Sequence, residues 1–207
     1  MLKKAIQFGW RVRPLTYSKR RAILGGRFDP LHVGHLEVAV LALMTGLIDE
    51  VVFVPTGDPP HKSVVAPFEY RYEMVRIATF GIPQFKVVDW ERNQRYAIGT
   101  WKNYGREHDW YLLGGDSFNT ILSWYQYDEL VKLVNFMIVP RPMVTIRRDL
   151  LSVINKFVIT NPCHISVSST DIRTRIKQGL PIKGLVPDDI IEYIYHHRLY
   201  GGENVGR

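Results

Sequence analysis

Residues 25–36 read GGRFDPLHVGHL, between a short apolar run, Ala22-Ile23-Leu24, and an apolar helical pattern from Leu36 to Thr45. Two adjacent glycines at the end of a strand carry no Cβ atoms, so an anion can come close to backbone N–H groups. Pro30 restricts Asp29 to extended backbone, which makes the Asp29 carboxylate a brace for the turn. His32 and His35 are three residues apart, and in a first helical turn they share one side. Both then face the positive end of that helix, a ready anion site. Imidazoles there can donate to phosphoryl oxygens and stabilise charge that grows in a transition state. Each part alone is weak, since HxxH also occurs as a cap or a metal pair. A metal needs a third ligand, and none lies nearby at helical spacing. The GxGxxG fingerprint is absent, which argues against a dehydrogenase.

Outward from this stretch, apolar strand-like runs alternate with helical patterns. Strands are predicted at 22–24, 51–54, 85–88, 111–113, 136–139 and 158–159, and helices at 36–45, 68–80, 97–104, 128–133, 169–178 and 188–197. Continuous Val, Ile and Leu runs separated by helices mark a parallel sheet covered on both faces. The expected fold is α/β: a single doubly wound, Rossmann-like domain with a mainly parallel sheet and helices on both faces. Ligands of such a sheet bind beyond the carboxyl ends of the strands. That is where the two glycines fall. There are no repeats, no low-complexity tract and no linker to a second domain.

Charge narrows the function classes. The net charge of +7 is held by residues 1–21, which carry seven of the 27 basic residues and no acid, leaving 20 bases and 20 acids in the rest. A basic leader could touch RNA or an anionic membrane, or could serve as a transit segment, but a solvated N-terminus is the simpler expectation. Nucleic acid is therefore expected to meet this chain only through the leader. The longest apolar stretch, Val38 to Met44, is far below the ~20 residues that span a bilayer, so no membrane helix is expected. Cys163 is the single cysteine, which excludes an internal disulfide and any CxxC metal site. A reducing, cytoplasmic setting fits, with Cys163 as a packing residue.

The combination of strand, GG, FDP, HxGH and helix resembles the signature of the T/HxGH nucleotidyltransferase superfamily, and within it the bacterial-type nicotinate mononucleotide adenylyltransferases. The resemblance runs from about Arg21 to Tyr200 and divides the chain into a basic leader (1–21), a nucleotidyltransferase domain (22–200) and a tail (201–207). Three more segments match in order. VPTGDPPHK (54–62) resembles the family's PPHK loop and implies that Lys62 meets a phosphate. YLLGGDSF (111–118) resembles a strand ending in GxD, which implies that Gly114 and Asp116 receive a ribose, with Trp124 against a pyridine ring. ISVSSTDIRTRI (165–176) resembles ISSTxIR. Its hydroxyls are also good N-caps, and the resemblance makes Ser168, Ser169, Thr170 and Arg173 a second phosphate site.

The activity implied is transfer of AMP from ATP to nicotinate mononucleotide, giving deamido-NAD and pyrophosphate, with Mg²⁺ arriving with ATP and no dedicated protein metal site. His32, His35, Lys62 and Arg173 are the expected catalytic residues. Gly25, Gly26, Arg27 and Phe28 join the phosphate site, and Tyr96, Ala97 and Trp124 the pyridine site. Three departures from the family stand out. Arg27 replaces a threonine, Val33 replaces a polar residue, and Arg95-Tyr96-Ala97 stands for Ser-Tyr-Thr in the segment that reads the nicotinate carboxylate. The last leaves nicotinamide mononucleotide open as the substrate. Phosphopantetheine adenylyltransferase and a non-catalytic nucleotide- or RNA-binding module are the other readings, and a homo-oligomer stays open.

Overall fold

The computed structural model describes residues 18–57, 65–94 and 96–201. Six strands form one sheet in the order β3-β2-β1-β4-β5-β6. They are β1 (Arg21–Gly26), β2 (Glu50–Pro55), β3 (Phe85–Val87), β4 (Trp110–Gly114), β5 (Asn135–Val139) and β6 (Lys156–Ile159), and every pairing is parallel. The helices are α1 (Val33–Met44), α2 (Phe68–Thr79), α3 (Ala97–Tyr104), α4 (Gly115–Phe118), α5 (Tyr127–Leu133), α6 (Ser169–Lys177) and α7 (Asp188–His196). This is the expected doubly wound architecture, and the strand order reverses between β1 and β4.

Strand alternation explains why the apolar runs are continuous. Successive side chains point to opposite faces, and here both faces are buried. Ala22, Leu24, Val51, Phe53, Leu112 and Met137 join one core, together with residues of α1, α2, α6 and α7. Their neighbours Ile23, Val52, Val54, Leu113, Phe136 and Ile138 join a second core under α3 and α5. The two layers leave the strand ends as the places where polar groups can converge.

Several element boundaries differ from the sequence expectation, and two of these differences follow from polar side chains. Helix α1 begins at Val33 rather than Leu36, because His32 is its N-cap in extended backbone. Strand β1 begins at Arg21 rather than Ala22. Arg21 is the first residue of β1, 6% exposed, and its guanidinium meets Asp109 at 2.7 Å. The last three cations assigned to the leader are thus tied to the domain, since Arg20 pairs with Asp49 and Lys19 with Glu50. Leader residues 1–17, and tail residues 202–207, lie outside the described residues.

Candidate active site

A cavity of about 750 Å³ opens over the carboxyl ends of β1 and β4, at the switch point. On one side lies the loop that ends β1. Gly26 is needed there, because a Cβ would stand 2.9 Å from the Phe28 ring. Phe28 itself is buried, with its ring edge-on to His35 at 5.0 Å and near Phe53 at 5.9 Å. It is a wedge under the imidazole, and its side chain is not on the cavity wall. Gly25, Gly26 and Arg27 are on that wall.

The two histidines stack at 3.7 Å between ring centroids. Nδ1 of His35 accepts the backbone N–H of His32 at 3.2 Å, so in the neutral ring the proton sits on Nε2 and is available as a donor. Burial, followed by the Arg141 charge, lowers the His32 pKa to about 4. Burial also depresses His35 well below the ordinary histidine range, with His32 and Arg141 adding to it. Both rings are neutral at physiological pH. They can supply oriented N–H groups but not positive charge.

Asp29 is the hub beneath this loop. Its carboxylate accepts the N–H groups of Val65 and Ala66 at 2.9 and 3.1 Å and the hydroxyl of Tyr200 at 2.9 Å. It braces the turn, as the FDP pattern implies. Arg71 of α2, fully buried, donates to the carbonyls of Arg27, Thr56, Gly57 and Ala66. One guanidinium therefore joins the first loop to the end of β2.

Facing the histidines is the start of α6. Ser168 caps it, accepting the N–H of Asp171 at 3.1 Å, and Ser169 donates to the carbonyl of Pro30 at 2.9 Å. Ser168, Ser169 and Thr170 all border the cavity. Arg173 does not. Its guanidinium turns back to the carbonyl of Asp29 at 2.7 Å and to Thr170 Oγ1 at 3.3 Å, locking α6 onto the first loop. That geometry makes Arg173 a brace in this conformation, where the resemblance gave it a direct phosphate contact. Lys62 lies outside the described residues.

Across the cavity stand Gly114 and Asp116, then Tyr96, Ala97 and Trp124. Trp124 meets Tyr111 edge-on at 5.9 Å, and Tyr96 stacks on Tyr125 at 4.2 Å. The result is an aromatic slot. Two charged cavity residues escape the sequence reading. Arg141, just past β5, donates to Asp116 Oδ2 at 3.2 Å and to the carbonyl of Val167 at 3.1 Å, bridging the GxD turn to the entrance of α6. Glu91 is a buried carboxyl that also lines the cavity. Among the described residues, no cluster of three or more His, Cys, Asp or Glu could hold a metal, and no helix is long and apolar enough to cross a membrane.

A parallel sheet in this order, with paired imidazoles at a helix start beside its switch point, defines a nucleotide-transferring class, and residues 23–175 match the cytidylyltransferase-like family. Curated relatives named "Probable nicotinate-nucleotide adenylyltransferase" occur in Leifsonia xyli, 39% identical over 87% of this chain and 94% of the relative, and in Coprothermobacter proteolyticus, 38% identical over 91% and 98%. The chain belongs to this nicotinate-nucleotide adenylyltransferase family. In fold it is similar to Plasmodium falciparum nicotinic acid mononucleotide adenylyltransferase complexed with NaAD, with a TM-score of 0.77, 24% identity and coverage of 90% of this chain and 99% of that one.

Proposed function

We propose that the chain joins the AMP moiety of ATP to nicotinate mononucleotide, releasing pyrophosphate and deamido-NAD, as a cytoplasmic step of NAD biosynthesis. The observation that carries this reading is one cavity holding a stacked imidazole pair at a helix start and, opposite, an aromatic slot of Tyr96, Trp124 and Tyr125. The pair suits a polyphosphate, and the slot suits a flat heterocycle.

The 5′-phosphate of the mononucleotide already carries negative charge at neutral pH, so it needs no general base. It attacks the α-phosphorus in line, and pyrophosphate leaves with the electron pair. Catalysis is then alignment and electrostatic stabilisation. His32 and His35 act as neutral donors toward the oxygens around the reacting phosphorus. Cationic support comes from Arg27 and Arg141 on the cavity wall and from Lys62. Ser168, Ser169 and Thr170 hold the β and γ phosphates at the start of α6. Arg173 acts one layer back, by fixing Asp29 and hence the histidine loop. Asp116, steadied by Arg141, accepts from a ribose diol. ATP enters as its Mg²⁺ complex, the ion held by phosphate oxygens. Release of pyrophosphate from Mg²⁺-ATP and nicotinate mononucleotide tests the reading. No release with either pyridine mononucleotide, alongside release with phosphopantetheine, would transfer the chain to the other branch of the superfamily.

A further inference from the structure

Glu91 is the acid on the cavity wall that has no cation beside it among the described residues. Its residue exposure is 7%, and its side-chain hydrogen bond is from Thr100 Oγ1 to Oε1, at 2.8 Å. Thr100 is one turn along α3 from Ala97, so this bond seats the carboxyl against the helix that begins the aromatic slot. The end of β2 is pressed against the same segment: a Cβ on Gly57 would lie 2.5 Å from the Glu91 carbonyl. From β4, Tyr111 lies close enough for the Glu91 charge to push its phenol upward, after the larger effect of burial, and Tyr111 in turn touches Trp124.

We propose that Glu91 is a specificity-determining residue of the pyridine slot. As a neutral acid it admits the nicotinate carboxylate, and as a carboxylate it turns that substrate away in favour of the uncharged amide. The inference rests on the reaction proposed above and sharpens its substrate choice. Two carboxylates in one poorly solvated pocket cannot both ionise without large cost. A protonated Glu91 is also a donor that a nicotinate carboxylate can accept from, whereas an ionised one can only accept, which suits an amide N–H. Burial raises the Glu91 pKa to about 7, with the Thr100 hydroxyl pulling the other way. The described groups around it do not supply a compensating charge. Tyr111 and Tyr96 are phenols, Gln94 is neutral, and Arg92 is turned outward to Glu69 and Asp89. Arg27 and the two neutral histidines border the cavity from the β1 loop, and Arg141, the other cation lining it, is paired with Asp116. Above pH 7, therefore, the acid substrate must bring a proton with it onto Glu91, and the amide need not.

The test is the ratio of kcat/KM for nicotinate over nicotinamide mononucleotide, measured from pH 6 to 9 at saturating Mg²⁺-ATP. Both substrates carry the same titrating 5′-phosphate, so it cancels in the ratio. The ratio should fall by about tenfold per pH unit above roughly pH 7, the slope of one linked proton. Glu91→Gln should make it independent of pH. Thr100→Val, which removes the donor favouring the ionised form, should move the break to higher pH. A wild-type ratio that stays flat, or one that falls equally in Glu91→Gln, overturns the assignment. Turnover of neither mononucleotide at any pH overturns the reaction itself, and this inference with it.

Discussion

The two ends of the sheet are built on opposite terms. At the amino ends of the strands, charge is buried and fully partnered. Arg21 Nε reaches both carboxylate oxygens of Asp109 at 2.9 Å, and its Nη2 also donates to the Tyr104 carbonyl at 2.6 Å. Asp109 further accepts the N–H of Arg106, and Asn135 at the start of β5 donates to the carbonyls of Glu107 and Asp109. At the carboxyl ends, polar atoms wait. His32 Nδ1 and Thr56 Oγ1 are buried without a hydrogen-bond partner among the described residues, and the imidazoles are held neutral by the same burial. An unpaired buried polar group costs stability. A surplus of unmet hydrogen-bonding capacity at one end only, on the wall of a cavity, is what a ligand site requires and a structural brace does not.

A crossed pair of substitutions puts this division under the greatest strain. His35→Ala should lower kcat by ~10²–10³-fold, the effect of losing one oriented donor, while the folded state survives. Arg21→Met should do the reverse. It strands the Asp109 carboxylate in a site that is 3% exposed, which costs about 3–5 kcal/mol, yet leaves kcat of the folded fraction within about twofold. Urea titrations paired with initial rates for both variants check this. An Arg21→Met variant that is stable but slow, or a His35→Ala variant that is unfolded, would break the division between the ends.

Arg141 sharpens it, because this residue braces and faces the site at once. Removing it in Arg141→Met releases Asp116 and the Val167 carbonyl together. Charge-assisted hydrogen bonds are worth about 1.5–3 kcal/mol each, so kcat/KM should drop roughly 10- to 100-fold. Because Arg141 joins the ribose turn to the α6 entrance, KM should rise for both substrates. A rise for ATP alone would confine its action to α6.

These residues also show where the sequence is legible. The strands are, since a parallel sheet buried on both faces leaves a continuous apolar imprint. So is the meeting of 25–36 with 165–176, whose glycines, histidines and hydroxyls carry the chemistry in their types. Apolar periodicity starts α1 three residues late, because a histidine is not an expected cap. Arg141 leaves no local signal: its partners lie 25 residues before and 26 after it, and VPRPM reads as a loop. Glu91 opens a polar turn, ERNQ, and its burial comes from Gly57 and Thr100 on other elements. The resemblance makes Arg173 a phosphate ligand, but the carbonyl of Asp29, 144 residues away, captures it. What the sequence hides is which polar side chain is claimed by a distant backbone.

A smaller effect is expected at Ala97, the first residue of α3 on the wall of the slot. Restoring a hydroxyl with Ala97→Thr adds one neutral donor, worth ~1 kcal/mol. It should raise the nicotinate-over-nicotinamide ratio of kcat/KM by about fivefold at pH 6.5, with the wild type already preferring the acid. One such bond is too weak to invert a large preference. A wild type that prefers the amide at that pH would reassign the substrate to nicotinamide mononucleotide.

The smallest effect lies at the basic leader, where the amino end of the sheet sets the cutting point. Arg20 is bidentate on Asp49, at 2.8 and 3.1 Å, and its backbone N–H adds a third bond at 3.0 Å. Lys19 reaches Glu50 at 3.4 Å. These two cations extend the brace begun by Arg21, and truncation should respect them. Deleting residues 1–17 removes Lys3, Lys4, Arg11 and Arg13 and takes the net charge from +7 to +3, yet keeps every residue of the brace and every residue named on the cavity wall. Turnover should stay within about twofold and Tm should not move, while any salt-sensitive retention on nucleic acid disappears with the charge. Deleting residues 1–20 goes further and breaks the Arg20 pair. Both of its partners are about a third exposed, so solvent screening holds the loss to about 1 kcal/mol, visible in denaturant midpoint but not in kcat. A folded, inactive 18–207 fragment would place part of the site in the leader, and the separation between a bracing end and a reacting end would then fail at its simplest point.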